Sequence, residues 1–190
     1  MVAECAALLD EARSQAMPLF YSRAIASSAG VQELNPRVVR LDEHLAGRLP
    51  EVSVDHQRWK TQIMDAVAAQ PGDLVLGKTR PSCFYDTELE PVLRNVEVSR
   101  LIVAGLQTNV CVEATARCGL VRNLEMAVPE DAVSTDGPDL HRAALNSMRV
   151  LYTEVAPWRE LAAPGARWDR AFTTPDYGRA PRYRIESASA

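Results

Sequence analysis

The sequence predicts an α/β fold built on a parallel sheet with helices on both faces. Three observations carry that expectation. Short runs at residues 74–76, 101–104 and 125–128 have strand length and a largely apolar make-up. Helical patterns alternate with them, at residues 2–16, from Val110 onward, and at 138–149. Residues 101–122 also pass from an apolar strand into a helix start within a few residues, the hallmark of a strand–helix unit.

Residues 2–16 fit an amphipathic helix. Val2, Cys5, Leu8, Leu9 and Ala12 recur at helical spacing, with Glu4, Asp10, Glu11 and Arg13 off that face. Pro18 follows, and Leu19, Phe20 and Tyr21 make a short strand. Tyr21 and Arg23 read as core edge and solvated charge. Residues 24–58 have no sustained period, are broken by Gly30, Pro36, Gly47 and Pro50, and leave room for a helical turn or two at 38–49. A loop this long in a compact domain is usually functional or mobile. Residues 60–69 suggest a short helix ended by Pro71 and Gly72. Residues 74–76 form the next strand, and Lys78 stands just beyond its end. Ligand sites form at the carboxyl ends of parallel strands; the plain alternative for Lys78 is a solvated cation. Thr87 and Glu90 make a capping box that starts a helix running to Asn95, with Pro91 tolerated near the start. Phe84 and Tyr85 precede that cap, as pocket walls or as core.

The chain's centre of interest is residues 101–122. After the apolar run, Gly105 breaks the pattern, and Thr108 and Asn109 are helix-starting residues. Small Ala114, Ala116 and Gly119 allow the helix to pack closely. Cys111 then falls in the first turn. Free N–H groups and the positive dipole end stabilise a thiolate there, and the same N–H groups can hold an oxyanion. A buried structural thiol is the alternative, since free Cys packs as a small hydrophobe.

Beyond this, residues 125–128 read as a strand and Asp131 as a loop-fixing carboxylate in preference to a catalytic one. Residues 138–149 form an amphipathic helix begun by Asp136 or Gly137, with His141 on its surface. Residues 150–155 suit a final strand. From residue 156 onward Pro157, Pro164, Gly165, Pro175, Gly178 and Pro181 forbid long elements. That places one domain at 1–155 and an irregular tail at 156–190, lying on the surface or on a partner subunit and frayed at its end.

Composition narrows the function. The 190 residues are 47% hydrophobic and 24% charged with a net charge of −4. A pI near 5.4 argues against a general nucleic-acid binder. No apolar run is long enough to cross a bilayer, and no secretory signal opens the chain. Cys5, Cys83, Cys111 and Cys118 show no disulfide spacing and read as reduced thiols of a cytoplasmic protein. No Gly-x-Gly-x-x-Gly follows any strand, so no dinucleotide is expected.

Two segments carry a resemblance. Gly105-Leu-Gln-Thr-Asn-Val-Cys111-Val-Glu-Ala-Thr-Ala-Arg117 resembles the nucleophile motif of the isochorismatase-like cysteine hydrolases. Asp73-Leu-Val-Leu-Gly-Lys78, with the Ser82-x-Phe84-x-x-Thr87-x-Leu89 pattern after it, resembles the same family's lysine strand. The separation, 111 − 78 = 33 residues, suits one strand–helix–strand passage. The resemblance covers the chain to about Val155. It implies a three-layer, Rossmann-like parallel sheet and a homo-oligomer, dimer or tetramer.

It also implies a mechanism. Cys111 attacks the carbonyl of a small amide, ureide or carbamoyl compound, and Lys78 supplies positive charge. Backbone N–H groups of Gln107 and Cys111 hold the oxyanion, beside a cis peptide between Leu106 and Gln107. Phe84 and Tyr85 are the candidate pocket residues. No cofactor is implied. Metal-binding members carry Asp-x-His after the second strand; residues 20–24 do not supply it, so no metal is expected, and His44 and His56 stay unassigned.

The family's third member is an Asp at the end of a first strand, acting as general acid and base. This chain starts at the helix after that strand, so the Asp has no counterpart; Asp10 lies inside a helix and Asp86 follows the wrong strand. Loss of such a base costs ~10²–10⁴ in rate. The absent strand would sit mid-sheet, leaving the strands of Phe20 and Leu101 facing across unpaired backbone groups. The expectation is a natural protein that starts upstream of Met1. Three functions stay open: a cysteine amidohydrolase, a catalytically inactive family member acting by binding or oligomerisation, and a vinyl-ether hydrolase, which would not need the thiol.

Overall fold

The computed structural model describes residues 1–25, 61–151, 153–166 and 168. Expectations for His44, His56, most of the 24–58 loop and the tail beyond residue 168 fall outside them.

Helix α1 (Val2–Ser14) puts Glu4 in its first turn and Arg13 in its last, which suits the helix dipole. Its buried residues are Leu8 and Ala12, and Leu8 packs with Ala132, Trp158 and Ala162. Arg13 also crosses to the next elements, donating to Asp73 at 2.9 Å and to the Tyr21 hydroxyl at 3.1 Å. Strand β1 (Phe20–Ala24) then pairs in parallel with β2 (Leu74–Lys78). In that register Ala24 stands opposite Lys78, so Lys78 is the last residue of its strand rather than the first beyond it.

Strand β3 (Arg100–Ile102) pairs with β5 (Glu125–Pro129), and β5 with β7 (Glu154–Ala156), all in parallel. A short pair, β4 (Gly105–Leu106) with β6 (Val133–Ser134), is parallel too. Among the described residues β1 pairs only with β2 and β3 only with β5. Their side chains still share one core: Leu76, Phe84, Leu89 and Leu93 gather Phe20, Leu101 and Leu124 around them.

Successive residues of β5 point to opposite faces, and both faces are covered. Val128 packs with Ala116 of α3 (Glu113–Leu120) and with Leu145 and Met148 of α4 (Pro138–Leu151). Ala127 packs with Leu161 of α5 (Trp158–Leu161) on the other side. Helix, sheet and helix make three layers. Asp131 ties the layers together by accepting the Trp158 backbone N–H at 2.9 Å.

Three local expectations are corrected. Residues 61–69 hold only a 3₁₀ turn, Asp65–Val67, with no buried residue in it. A short helix without a buried face has nothing to offset its nucleation cost. Helix α2 (Leu89–Asn95) does not use the capping box. Thr87 Oγ1 does accept the Leu89 N–H at 3.2 Å, but Glu90 turns to Arg122, 2.7 Å away, and to Arg94. Two guanidinium groups outbid one backbone N–H, and the Arg122 bond foremost holds the Glu90 carboxyl below its ordinary range. Residues 150 and 151 continue α4 instead of opening the last strand. The buried stripe Ala144, Leu145 and Met148 keeps the helical period, and Thr153 N–H closes onto the Met148 carbonyl at 3.1 Å. Tertiary packing overrides the strand propensity of Val150 and Leu151.

Candidate active site

The carboxyl end of β2 delivers Lys78 into the protein. The residue is only 6% exposed, unusual for a lysine. Its Nζ lies 3.1 Å from Cys111 Sγ and 3.3 Å from the Arg80 carbonyl, to which it donates. Among the described residues no carboxylate is within ion-pair distance of it. A buried ammonium is costly unless an anion or strong acceptors compensate it; the polar atoms beside this one are the Cys111 sulfur and the Arg80 carbonyl.

Cys111 does not sit in an ordinary first helical turn. Residues Thr108–Val112 form a π-helical turn that runs into α3. The Gln107 carbonyl accepts N–H groups from both Val110 and Val112, each at 3.1 Å, and the Glu113 N–H reaches the Thr108 carbonyl. Single wide turns of this kind recur at functional sites. The peptide between Leu106 and Gln107 is cis, and Gly105 before it has φ +106°, a value open to glycine but not to most residues.

Thr108 and Asn109 do not cap the helix, contrary to expectation; Gln107 occupies the N-cap position. Their side chains instead bond to the stretch after β6. Gln107 Nε2 donates to Asp136 at 3.0 Å, Thr108 Oγ1 meets His141 Nδ1 at 2.9 Å, and Thr135 Oγ1 donates to Asn109 Oδ1 at 2.7 Å. Sequence reading left His141 on the surface. It is half-buried, and nothing in its own helical pattern signals a partner 33 residues earlier. His141 also lines a cleft of about 390 Å³ with Glu130, Asp131, Arg142 and Arg149.

The aromatic pair divides. Phe84 is buried against Leu76, Leu89 and Leu93, with the Arg122 guanidinium 4.9 Å from its ring centre. Tyr85 is 53% exposed, with Arg80 5.7 Å from its ring centre. The other thiols differ from Cys111 in surroundings. Cys5 Sγ donates to the Ala132 carbonyl at 3.1 Å, and burial pushes its thiol up. Cys83 Sγ bonds to the Ser22 hydroxyl at 3.1 Å. Among the described residues no three His, Cys, Asp or Glu side chains converge to hold a metal ion, and no helix is long and apolar enough to cross a membrane.

Known proteins share this arrangement of strands. A cysteine hydrolase from Pseudomonas syringae pv. phaseolicola superposes with a TM-score of 0.71 at 28% identity, over 85% of this chain and 78% of that one. An isochorismatase family protein from Desulfovibrio vulgaris gives 0.74 at 26% identity, over 87% and 84%. Ureidoacrylate amidohydrolase RutB from Methylobacterium radiotolerans is 43% identical over 95 residues, which is 50% of this chain and 37% of that protein. The chain spans half or less of the length of the curated relatives it matches. The family model described as the isochorismatase domain matches residues 1–160, and the chain therefore belongs to the isochorismatase family.

Proposed function

We propose that the protein is a cysteine hydrolase cleaving the C–N bond of a small amide, ureide or carbamoyl compound. The single observation that carries this reading is the 3.1 Å separation of Lys78 Nζ and Cys111 Sγ inside a largely buried site. Cys111 is the nucleophile and Lys78 the cation that stabilises its anionic form. The sulfur adds to the carbonyl carbon. The resulting oxyanion is held by the backbone N–H groups of Gln107 and Cys111. Collapse expels the nitrogen as ammonia or an amine and leaves a thioester, which water hydrolyses to regenerate the thiol. The relatives point to the substrate class: one bears the name ureidoacrylate amidohydrolase, so ureido and carbamoyl compounds head the candidates.

The proton on the departing nitrogen needs a donor. Among the described residues the side chain bonded to Cys111 Sγ is Lys78, with no carboxylate beside the pair. That observation favours a second reading, in which the site binds its ligand without turning it over. An ammonia-release screen over ureido, carbamoyl and simple amide compounds decides between them, with Cys111→Ala as control. Release by the wild type alone supports hydrolysis. Equal behaviour of the two proteins sinks it.

A further inference from the structure

Among the described residues, the stretch from Ala132 to His141 bonds the turn that carries Cys111 and its approach in both backbone and side chains. In the backbone, β4 pairs with β6, and the Gly105 N–H donates to the Ala132 carbonyl at 2.9 Å. In the side chains, three consecutive residues, Gln107, Thr108 and Asn109, each bond one residue between 135 and 141. The middle bond is the most shielded. Thr108 has no exposed surface, and a buried hydroxyl without a partner is costly. His141 Nδ1, in the first turn of α4, is its side-chain partner at 2.9 Å. Thr108 also supplies the carbonyl that receives the Glu113 N–H and closes the wide turn. One residue therefore joins the turn's backbone geometry to a side chain on α4.

We propose that His141 is a positioning residue: by anchoring Thr108 it fixes the π-helical turn and so holds the Cys111 sulfur against Lys78. This rests on the reading of Cys111 as the nucleophile. Either neutral tautomer of the ring makes the bond, because a hydroxyl both donates and accepts. What matters is a polar atom at the Nδ1 position. Asparagine can place one there; phenylalanine cannot.

The test follows the thiol directly and so does not depend on finding a substrate. The rate of Cys111 carbamidomethylation by iodoacetamide is measured by peptide mass spectrometry. The proteins are wild type, Thr108→Val, His141→Phe, the double variant and His141→Asn, each well below its own melting temperature. Thr108→Val and His141→Phe are expected to slow the reaction by about fivefold to twentyfold, the scale of one buried hydrogen bond. The double variant is expected to be no slower than either single one, and His141→Asn to stay within about threefold of wild type, as the retained bond requires. Unchanged rates in folded single variants overturn the proposal. So do effects that multiply, or an asparagine variant as slow as the phenylalanine one. On an amide found by the screen, Thr108→Val and His141→Phe lower kcat and leave KM alone. Turnover that survives Cys111→Ala would instead sink the nucleophile reading, a separate failure.

Discussion

Gly119 tests how tightly the helix that follows Cys111 is seated. The residue lies on the buried side of α3, against β5. A Cβ added there would stand 2.3 Å from Met126 Sδ, 2.8 Å from its Cε and 3.2 Å from its Cγ. Met126 is 3% exposed, so its thioether cannot swing into solvent. Overpacking of this kind costs ~1–3 kcal/mol, and methionine's flexibility places the cost in the lower half of that range. Against it stands a gain of about 1 kcal/mol for alanine over glycine in a helix. In the wild-type background Gly119→Ala is thus expected to be neutral to destabilising, by up to about 1 kcal/mol. In a Met126→Ala background the clash is gone. The same change then fills part of a cavity and adds helix propensity, so its sign turns stabilising. Urea denaturation of the four proteins at 25 °C gives the coupling, expected at about 1–3 kcal/mol. An identical effect in both backgrounds would refute the packing argument.

Met148 has no exposed surface and sits in the cluster of Val128, Leu145 and Val155. Met148→Ala should cost ~2–5 kcal/mol in urea denaturation; a loss under 1 kcal/mol, roughly, would mean the core refills the space. Asp73 accepts the Gln70 N–H at 2.8 Å and pairs with Arg13, which together hold its carboxyl below the ordinary range, the Gln70 bond foremost. Its folded-state value lies below its unfolded one, so its contribution is complete above about pH 4 and is lost as the pH falls through the folded value. The stability gap between wild type and Asp73→Asn should therefore be flat from pH 7 to 5 and shrink below about pH 4. A gap unchanged at pH 3 would contradict the pairing. Because burial raises the Cys5 thiol, little of it is thiolate at pH 8, and Cys5 should alkylate more slowly than Cys111 in the folded protein. The reverse order in peptide mapping would count against the site.

Much of this was legible in the residues. The apolar face of Val2–Ser14 and the runs at Leu74 and Leu101 signal their elements because periodicity records burial. The pairing of Lys78 with Cys111 was implied by the resemblance to the isochorismatase-like hydrolases; from its own surroundings in the sequence Lys78 reads equally as a solvated cation at a strand end. The missed features are those fixed by contacts distant in sequence. The π-helical turn at Thr108–Val112 has the same local signals as an ordinary helix start. The bonds beside it, from Gln107, Thr108 and Asn109 to residues after β6, join positions far apart in the sequence. Glu90 likewise matched a capping pattern, and only the fold brings Arg122 to it. The two-residue strands β4 and β6 are too short to show any period.

The most direct measurement is the alkylation rate of Cys111 in the wild type and in Lys78→Met at neutral pH. Methionine keeps much of the side-chain volume and removes the charge; because removing one partner of a buried pair destabilises, the rates are compared well below each protein's own melting temperature. With the ammonium 3.1 Å from the sulfur, the rate in Lys78→Met is expected to fall by about tenfold or more. Equal rates in two folded proteins would show that the lysine does nothing for the sulfur.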